Sequence, residues 1–328
     1  MRRGFRQLVA LSAAALVLPA TSFAAPVRSA IFFYPWYSNP THDGSYTHWQ
    51  QGAHAPPLDV ASAYFPARGA YSSADPRILR AQMRDIRNAG IDGIVSSWWG
   101  WGSPEDLRLP AVIKAARRQH LAVAVQIEPY PGRSIATIAS DLEHLRMLGI
   151  RDVYVYRAGD FTAAEWGVLN LRISGFRVFA QTNLIGFAAR SGFAGFYTYD
   201  VLLYGGDRFE RYCAQAHAAG ILCMPSVGPG YDAQPTTGDA RIKARDDGAT
   251  YDCMWRSALA AHADIVTITS YNEWSEGTQI EPAGHGGRYE SYEGAYGLHG
   301  RAAERAYLRE TARWTGELRA GVSPSRRR

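Results

Sequence analysis

Three glutamates, Glu273, Glu276 and Glu281, fall within nine residues of the stretch Tyr271-Asn272-Glu273-Trp274-Ser275-Glu276-Gly277-Thr278-Gln279-Ile280-Glu281-Pro282. Paired carboxylates do the proton work of sugar cleavage: one protonates the departing oxygen while the other acts beside the sugar carbon. Trp274 offers a ring that can pack on a sugar face, and Asn272 and Gln279 offer amides for hydroxyls. The stretch follows Ile265-Val266-Thr267-Ile268-Thr269, a β-branched apolar run that reads as a buried strand. The acids therefore leave the end of a strand, where a scaffold can hold them still.

Similar clusters follow other apolar runs. The first runs into Tyr34-Pro35-Trp36-Tyr37 and then Tyr46-Thr47-His48-Trp49; the second ends in Trp98-Trp99-Gly100-Trp101. The third gives Glu128-Pro129-Tyr130-Pro131-Gly132-Arg133, and the seventh gives Ser226-Val227-Gly228-Pro229-Gly230-Tyr231. Six of the nine tryptophans lie in these strand ends and loops, which suits sugar stacking. Alternation along a strand turns Trp98 and Trp99 to opposite sides, so one of them is expected in the core. A carboxylate directly after a buried strand, as at Glu128, needs a partner or a ligand, and Arg133 is a candidate partner. Asp141-Leu142-Glu143-His144 and Asp246-Asp247 read as solvated faces or a loop. The expected catalytic pair is Glu273 and Glu276. The expected substrate-binding set is Tyr46, His48, Trp49, Trp98, Trp99, Glu128, Tyr130, Arg133, Tyr231, Asn272, Trp274, Gln279 and Glu281, and no metal or cofactor is expected.

Stepping from these residues to the elements that carry them, eight strand-like runs alternate with amphipathic ones. The strands are Ala30–Tyr34, Gly93–Ser97, Ala122–Ile127, Val153–Tyr156, Val178–Gln181, Gly195–Tyr199, Ile221–Pro225 and Ile265–Thr269. Helices are expected over Ile78–Asn88, Pro104–Gln119, Ile135–Leu148, Ala163–Ile173, Arg208–Ala218, Tyr251–His262 and about Arg301–Leu318. Asp75-Pro76 and Ser103-Pro104 read as an N-cap followed by a first-turn proline. Such repetition predicts an α/β fold, a single (β/α)₈ TIM barrel, although a doubly wound sheet gives similar local signals. In a barrel the chemistry sits at the C-terminal strand ends, where these clusters fall.

With 328 residues, 47% of them hydrophobic, the chain can bury a large core. Arg2, Arg3 and Arg6 precede an apolar run from about Leu8 to Leu18 and a small-residue site at Ser22-Phe23-Ala24. This pattern predicts a signal peptide at residues 1–24, too short in its apolar part for a comfortable membrane span. Arg2-Arg3-Gly4-Phe5 hints at twin-arginine export. The expected organisation is then a catalytic domain over 25–320 and a disordered tail over 321–328, in a periplasmic or secreted protein with no membrane association once the signal is cleaved. Loss of the leader's three arginines lowers the formal charge from +5 to +2, and no Arg cluster of the kind that tracks phosphates stands out, so nucleic acid is not an expected partner. Cys213, Cys223 and Cys253 leave two readings open: one disulfide, or buried free thiols. No CxxC, HExxH, GxSxG or GxxxxGK motif is present.

Taken together, Phe33-Tyr34-Pro35-Trp36-Tyr37, Tyr46-Thr47-His48-Trp49, Gly90-Ile91-Asp92-Gly93 with Ser97-Trp98-Trp99-Gly100, Ile127-Glu128-Pro129-Tyr130 with Gly132-Arg133, Ser226–Tyr231 and Asn272–Pro282 resemble glycoside hydrolase family 99, the endo-α-1,2-mannosidases and endo-α-1,2-mannanases. The matches run in order from about residue 31 to 290. The resemblance implies a (β/α)₈ barrel and retaining cleavage inside an α-mannan or mannose-containing oligosaccharide, without a cofactor. It also implies that the sugar's own 2-hydroxyl attacks, with Glu273 as general base/acid at that oxygen and Glu276 as general acid/base at the leaving group. Two departures stand out. Ser275 occupies a place where the family usually has His, and Asp232–Asp247 lacks an Arg-Pro-Trp-Asn-like piece for which Arg241 is a partial substitute. Alternative readings are a related barrel glycosidase acting on another bacterial polysaccharide, and an inactive carbohydrate-binding protein.

Overall fold

The computed structural model describes Met1 and residues 28–321. Apart from Met1 and Gly321, the expected leader at 1–24 and tail at 321–328 lie outside the described residues.

Among the described residues, parallel strands at eight positions form a barrel wall. They are Ser29–Phe33, Gly93–Trp98, Ala122–Ile127, Asp152–Val155, Arg177–Gln181, Gly195–Tyr197, a divided seventh strand, and Val266–Ile268. Each pairs with its sequence neighbour, and the eighth also pairs with the first, in register Ala30 with Thr267. The seventh position closes the wall in two pieces. Leu222–Met224 pairs with the sixth strand, and Ser226–Val227 pairs with the eighth. Pro225 between them has no N–H to donate, so the ladder breaks there while its carbonyl still accepts from Thr267 N at 3.0 Å. Gly195 is required at its place: a Cβ there would meet Leu222 O at 2.7 Å.

A helix follows every strand position: Pro76–Asn88, Pro104–Arg118, Ile135–Met147, Ala163–Arg172, Ile185–Arg190, Phe209–Ala218, Ala249–Ala260 and Ala306–Ala320. The first two start as their sequences suggest. Asp75 accepts from Arg77 N and Ser103 from Asp106 N, each just before a proline. Aromatic rings meet between strands: Phe32 lies 5.5 Å from Tyr197 and 5.0 Å from Tyr199, and Tyr154 lies 5.1 Å from Tyr197. The cysteine question resolves toward pairing. Cys213 on a helix and Cys223 on the seventh strand form a disulfide, and Cys253 is free.

Candidate active site

The segment after the eighth strand is tied down by backbone bonds to its surroundings. Thr269 N donates to Val227 O at 2.8 Å and Tyr271 N to Phe32 O at 2.9 Å. Asn272 continues this pairing with its side chain: Oδ1 accepts from Tyr34 N at 2.8 Å and Nδ2 donates to Tyr34 O at 2.9 Å. Ser270 Oγ accepts from Glu273 N at 2.8 Å, and Tyr37 Oη accepts from Trp274 N at 3.1 Å. A single 3₁₀ turn, Trp274–Glu276, then carries the chain from one carboxylate to the other. It ends at Gly277, whose φ of +63° and crowding against Asp232 O, 2.8 Å from where a Cβ would lie, leave no room for a side chain. Arg245 locks the exit. Its Nη2 donates to Gly277 O and Gln279 O at 2.9 and 2.7 Å, inside a cage of Tyr64, Tyr292 and Tyr307 rings.

This loop brings Glu273 and Glu276 together with Glu128 from the third strand. Glu273 is 2% exposed and accepts from Ser275 Oγ. Glu276 receives no hydrogen bond from the described residues and lines a cavity of about 200 Å³ with Tyr156, Tyr199, Asp200, Tyr231 and Arg241. Glu128 accepts from Ser97 Oγ and Gln126 Nε2, each at 2.8 Å. Burial raises all three carboxyls above the usual range; the Glu276 and Glu128 charges add to the effect on Glu273, and the Asp200 and Glu128 charges add to that on Glu276. Glu128 and Glu276 are each pushed to about 7. Carboxyls raised in this way are suited to exchanging protons near neutral pH, as general acid–base work requires.

Several residues expected to touch substrate instead brace the loop. Glu281 is fully buried and accepts from Arg68, Gln82, Tyr71 and Trp274 at 2.7–3.0 Å, which leaves it no free face for a sugar. Trp274 is fully buried with its Nε1 on Glu281, and Trp49 is fully buried on Tyr37 with its Nε1 on Tyr71 O at 2.8 Å. Trp98 is the core member of its pair, with Nε1 on Asp106 at 2.9 Å, and Trp99 is the part-exposed one. Gln279 is buried against Tyr292, and Asn272 is spent on Tyr34. Arg133 does not hydrogen-bond Glu128: it donates to Tyr156 O at 2.7 Å and to Asp160 at 2.8 Å, and only its charge reaches Glu128, where it favours the anion. Tyr130 bonds Asp141, which is largely buried. The common cause is packing: a large polar ring or a buried charge is placed by the groups that satisfy it.

Tyr46, His48, Trp99 and Tyr231 stay part-exposed. His48 stacks on Trp36 at 4.4 Å, and burial with nearby Arg108 lowers it to about 4, so its imidazole is neutral at pH 7. Tyr231 lines the cavity beside Glu276, as does Arg241, whose guanidinium is neutralised by Asp239 at 2.6–3.1 Å. Tyr156, Tyr199 and Asp200 were not expected. They follow the fourth and sixth strands, so the same strand-end rule that exposed Glu128 and Glu273 finds them too. A second cavity, of about 430 Å³, adjoins at Tyr231 and Gly277 and has Arg245 in its wall.

A closed eight-position barrel with clustered, buried carboxyls at its C-terminal rim suits an enzyme that cuts glycosidic bonds. Comparison with known proteins makes the family specific. The glycosyl hydrolase family 99 model matches residues 27–158 and 177–320, and the chain belongs to that family of glycoside hydrolases. Glycoprotein endo-alpha-1,2-mannosidase of Xenopus laevis is 31% identical over 317 residues, covering 77% of this chain and 69% of the relative. A glycoprotein endo-alpha-1,2-mannosidase-like protein of Danio rerio is 30% identical over 316 residues, covering 77% and 70%. The structure of the GH99 endo-alpha-mannosidase from Bacteroides thetaiotaomicron superposes with a TM-score of 0.78 at 26% identity, covering 90% of this chain and 98% of that one.

Proposed function

We propose that the protein is an exported, retaining, endo-acting α-mannosidase or mannanase that hydrolyses internal α-1,2-mannosidic linkages. The observation that carries this reading is the asymmetry of the pair on one short turn: Glu273 is held by a donor, while Glu276 is bare and faces the cavity. A carboxyl that already accepts a hydrogen bond has its anion favoured and suits a base, and an unbonded carboxyl in a desolvated wall suits an acid. The names of the family relatives support α-1,2-mannose as the sugar and cleavage within a chain.

In the first step Glu273 takes the proton from the sugar's 2-hydroxyl. O2 attacks C1 as the bond from C1 to the leaving oxygen breaks, and Glu276 protonates that oxygen. The product of this step is a 1,2-anhydro sugar. Water then attacks C1, giving its proton to Glu276, while the C1–O2 bond opens and Glu273 returns the proton to O2. Two inversions give net retention. An α-mannoside suits this route because its O2 and leaving group are axial and opposed. Two acids three residues apart serve neighbouring atoms of one sugar more naturally than opposite faces of the ring.

Export is supported by the leader pattern of residues 1–24 and by the Cys213–Cys223 disulfide, a bond favoured in oxidising compartments. The test is mass spectrometry of products from a panel of α-mannans and glucosylated mannose oligosaccharides. Released internal fragments of α-1,2-linked substrate are the expected result. Cleavage of a different polysaccharide alone would overturn the substrate assignment, and binding without turnover would favour a sugar-binding protein.

A further inference from the structure

The two glutamates of the proposed mechanism share a problem. Both are desolvated, the Glu276 charge disfavours ionisation of Glu273, and the Glu128 charge acts on both. Burial alone favours the proton on Glu273, the deeper of the two, which is the wrong place for it. Two side chains outside the pair push in the useful direction. Ser275, between them in sequence, donates its hydroxyl to Glu273, and a bond to the ionised form favours the anion. Asp200, after the sixth strand, stands in the same cavity wall as Glu276. Its Oδ1 is fixed by Leu202 N and Leu203 N at 2.9 and 3.0 Å, so the carboxylate is anchored by its own turn.

We propose that Ser275 and Asp200 bias the catalytic pair toward its working state: the Ser275 hydroxyl, bonded to Glu273, favours the anion there, and the Asp200 carboxylate, in the cavity wall with Glu276, favours the proton there. The assignment rests on the acid and base roles proposed above. Neither residue meets a reacting atom in this account; both are positioning residues for charge. The remaining groups facing Glu273 are Tyr34, Tyr37, Tyr199 and Glu128. Those facing Glu276 are Tyr34, Tyr156, Tyr199, Tyr231, Glu128 and Arg241. The tyrosines are neutral because burial raises every one of them, and Arg241 is paired with Asp239. Glu128 acts on both acids and so does not distinguish them. Bound sugar strengthens the bias, since its 2-hydroxyl brings Glu273 a second donor.

The test compares pH profiles of kcat/KM for wild type, Ser275→Ala, Ser275→Thr and Asp200→Asn on α-1,2-mannan. Ser275→Ala is expected to move the acid limb upward by about one pH unit and leave the alkaline limb in place, with Ser275→Thr restoring it. Asp200→Asn keeps an oxygen for the two backbone amides. It is expected to move the alkaline limb downward by about one unit and leave the acid limb in place. A purely structural role lowers activity at all pH values by the same factor, and that result, or unmoved limbs, overturns the proposal. Should Asp200→Asn not fold, Asp200→Ser preserves the turn acceptor and answers the same question. A carboxyl ¹³C NMR titration of the ligand-free proteins reads both shifts without substrate. Failure of the substrate assignment is thereby separated from failure of this one.

Discussion

Glu276 and Glu281 lie five residues apart in one loop, and their surroundings are opposite. Glu281 collects Arg68, Gln82, Tyr71 and Trp274, while Glu276 collects no protein donor and faces a cavity. A buried carboxylate with every lone pair engaged is a brace: it fixes Trp274 behind the turn that presents the catalytic pair. A desolvated carboxyl with none engaged is unstable as an anion and ready to give up a proton only to something that enters. The difference between the two ends of the loop separates support from chemistry more sharply than residue type does.

The comparison can be broken from either end. Glu276→Gln, nearly the same shape, should lower kcat by about 10²–10⁴-fold while a thermal melt changes little. A variant of wild-type activity would remove Glu276 from the reaction. Glu281→Gln should do the reverse in kind. It leaves Arg68 facing a neutral amide, with Asp85 as its remaining charged partner, and should cost about 1.5–3 kcal/mol in urea unfolding, the worth of buried hydrogen bonds to a charged group. A loss under 1 kcal/mol would make the brace reading wrong.

Away from the loop, the disulfide closes only a short segment, with a sequence separation of 10. Replacing both Cys213 and Cys223 with Ala should cost about 3 kcal/mol by chain entropy, with kcat unchanged for the protein that remains folded. Glu128 gives the smallest effect and sharpens the sign of the electrostatics. Its folded carboxyl is raised to about 7 from 4.5, so between these values the folded protein holds more protons than the unfolded one. Its contribution to stability therefore falls as pH rises through that window. Glu128→Gln should remove this loss and stabilise the protein at pH 8 by about 1–3 kcal/mol relative to its effect at pH 4, as measured by denaturant midpoints.

Much of the barrel was legible because its strands are β-branched runs and glycine ends many of its helices. The expected Ala122–Ile127 and the other seven strands fall within two residues of those observed. Closure was not legible. The run Ile221–Pro225 read as one strand, yet the seventh position continues past Pro225 and changes partner there, a pairing no local pattern encodes. The helix Ile185–Arg190 was missed because six residues give too little periodicity to see. In the site, Glu273 and Glu276 declared themselves by type, spacing and strand end. Trp49, Trp98, Trp274 and Glu281 looked equally fit for sugar, because a sequence does not show which aromatic or acid has its partners already in place. Tyr156, Tyr199 and Asp200 were missed because only five of the eight strand ends were read for chemistry.

The central claim is that Glu276 gives its proton to the leaving oxygen while Glu273 takes one from the sugar. The most direct measurement compares each Glu→Gln variant on α-1,2-mannan and on an α-mannosyl fluoride of matching length, whose fluoride leaves without help from an acid. Glu276→Gln should be crippled on the mannan and recover most of its activity on the fluoride, whereas Glu273→Gln should fail on both. Recovery by Glu273→Gln instead, or equal loss by both variants on both substrates, would contradict the account.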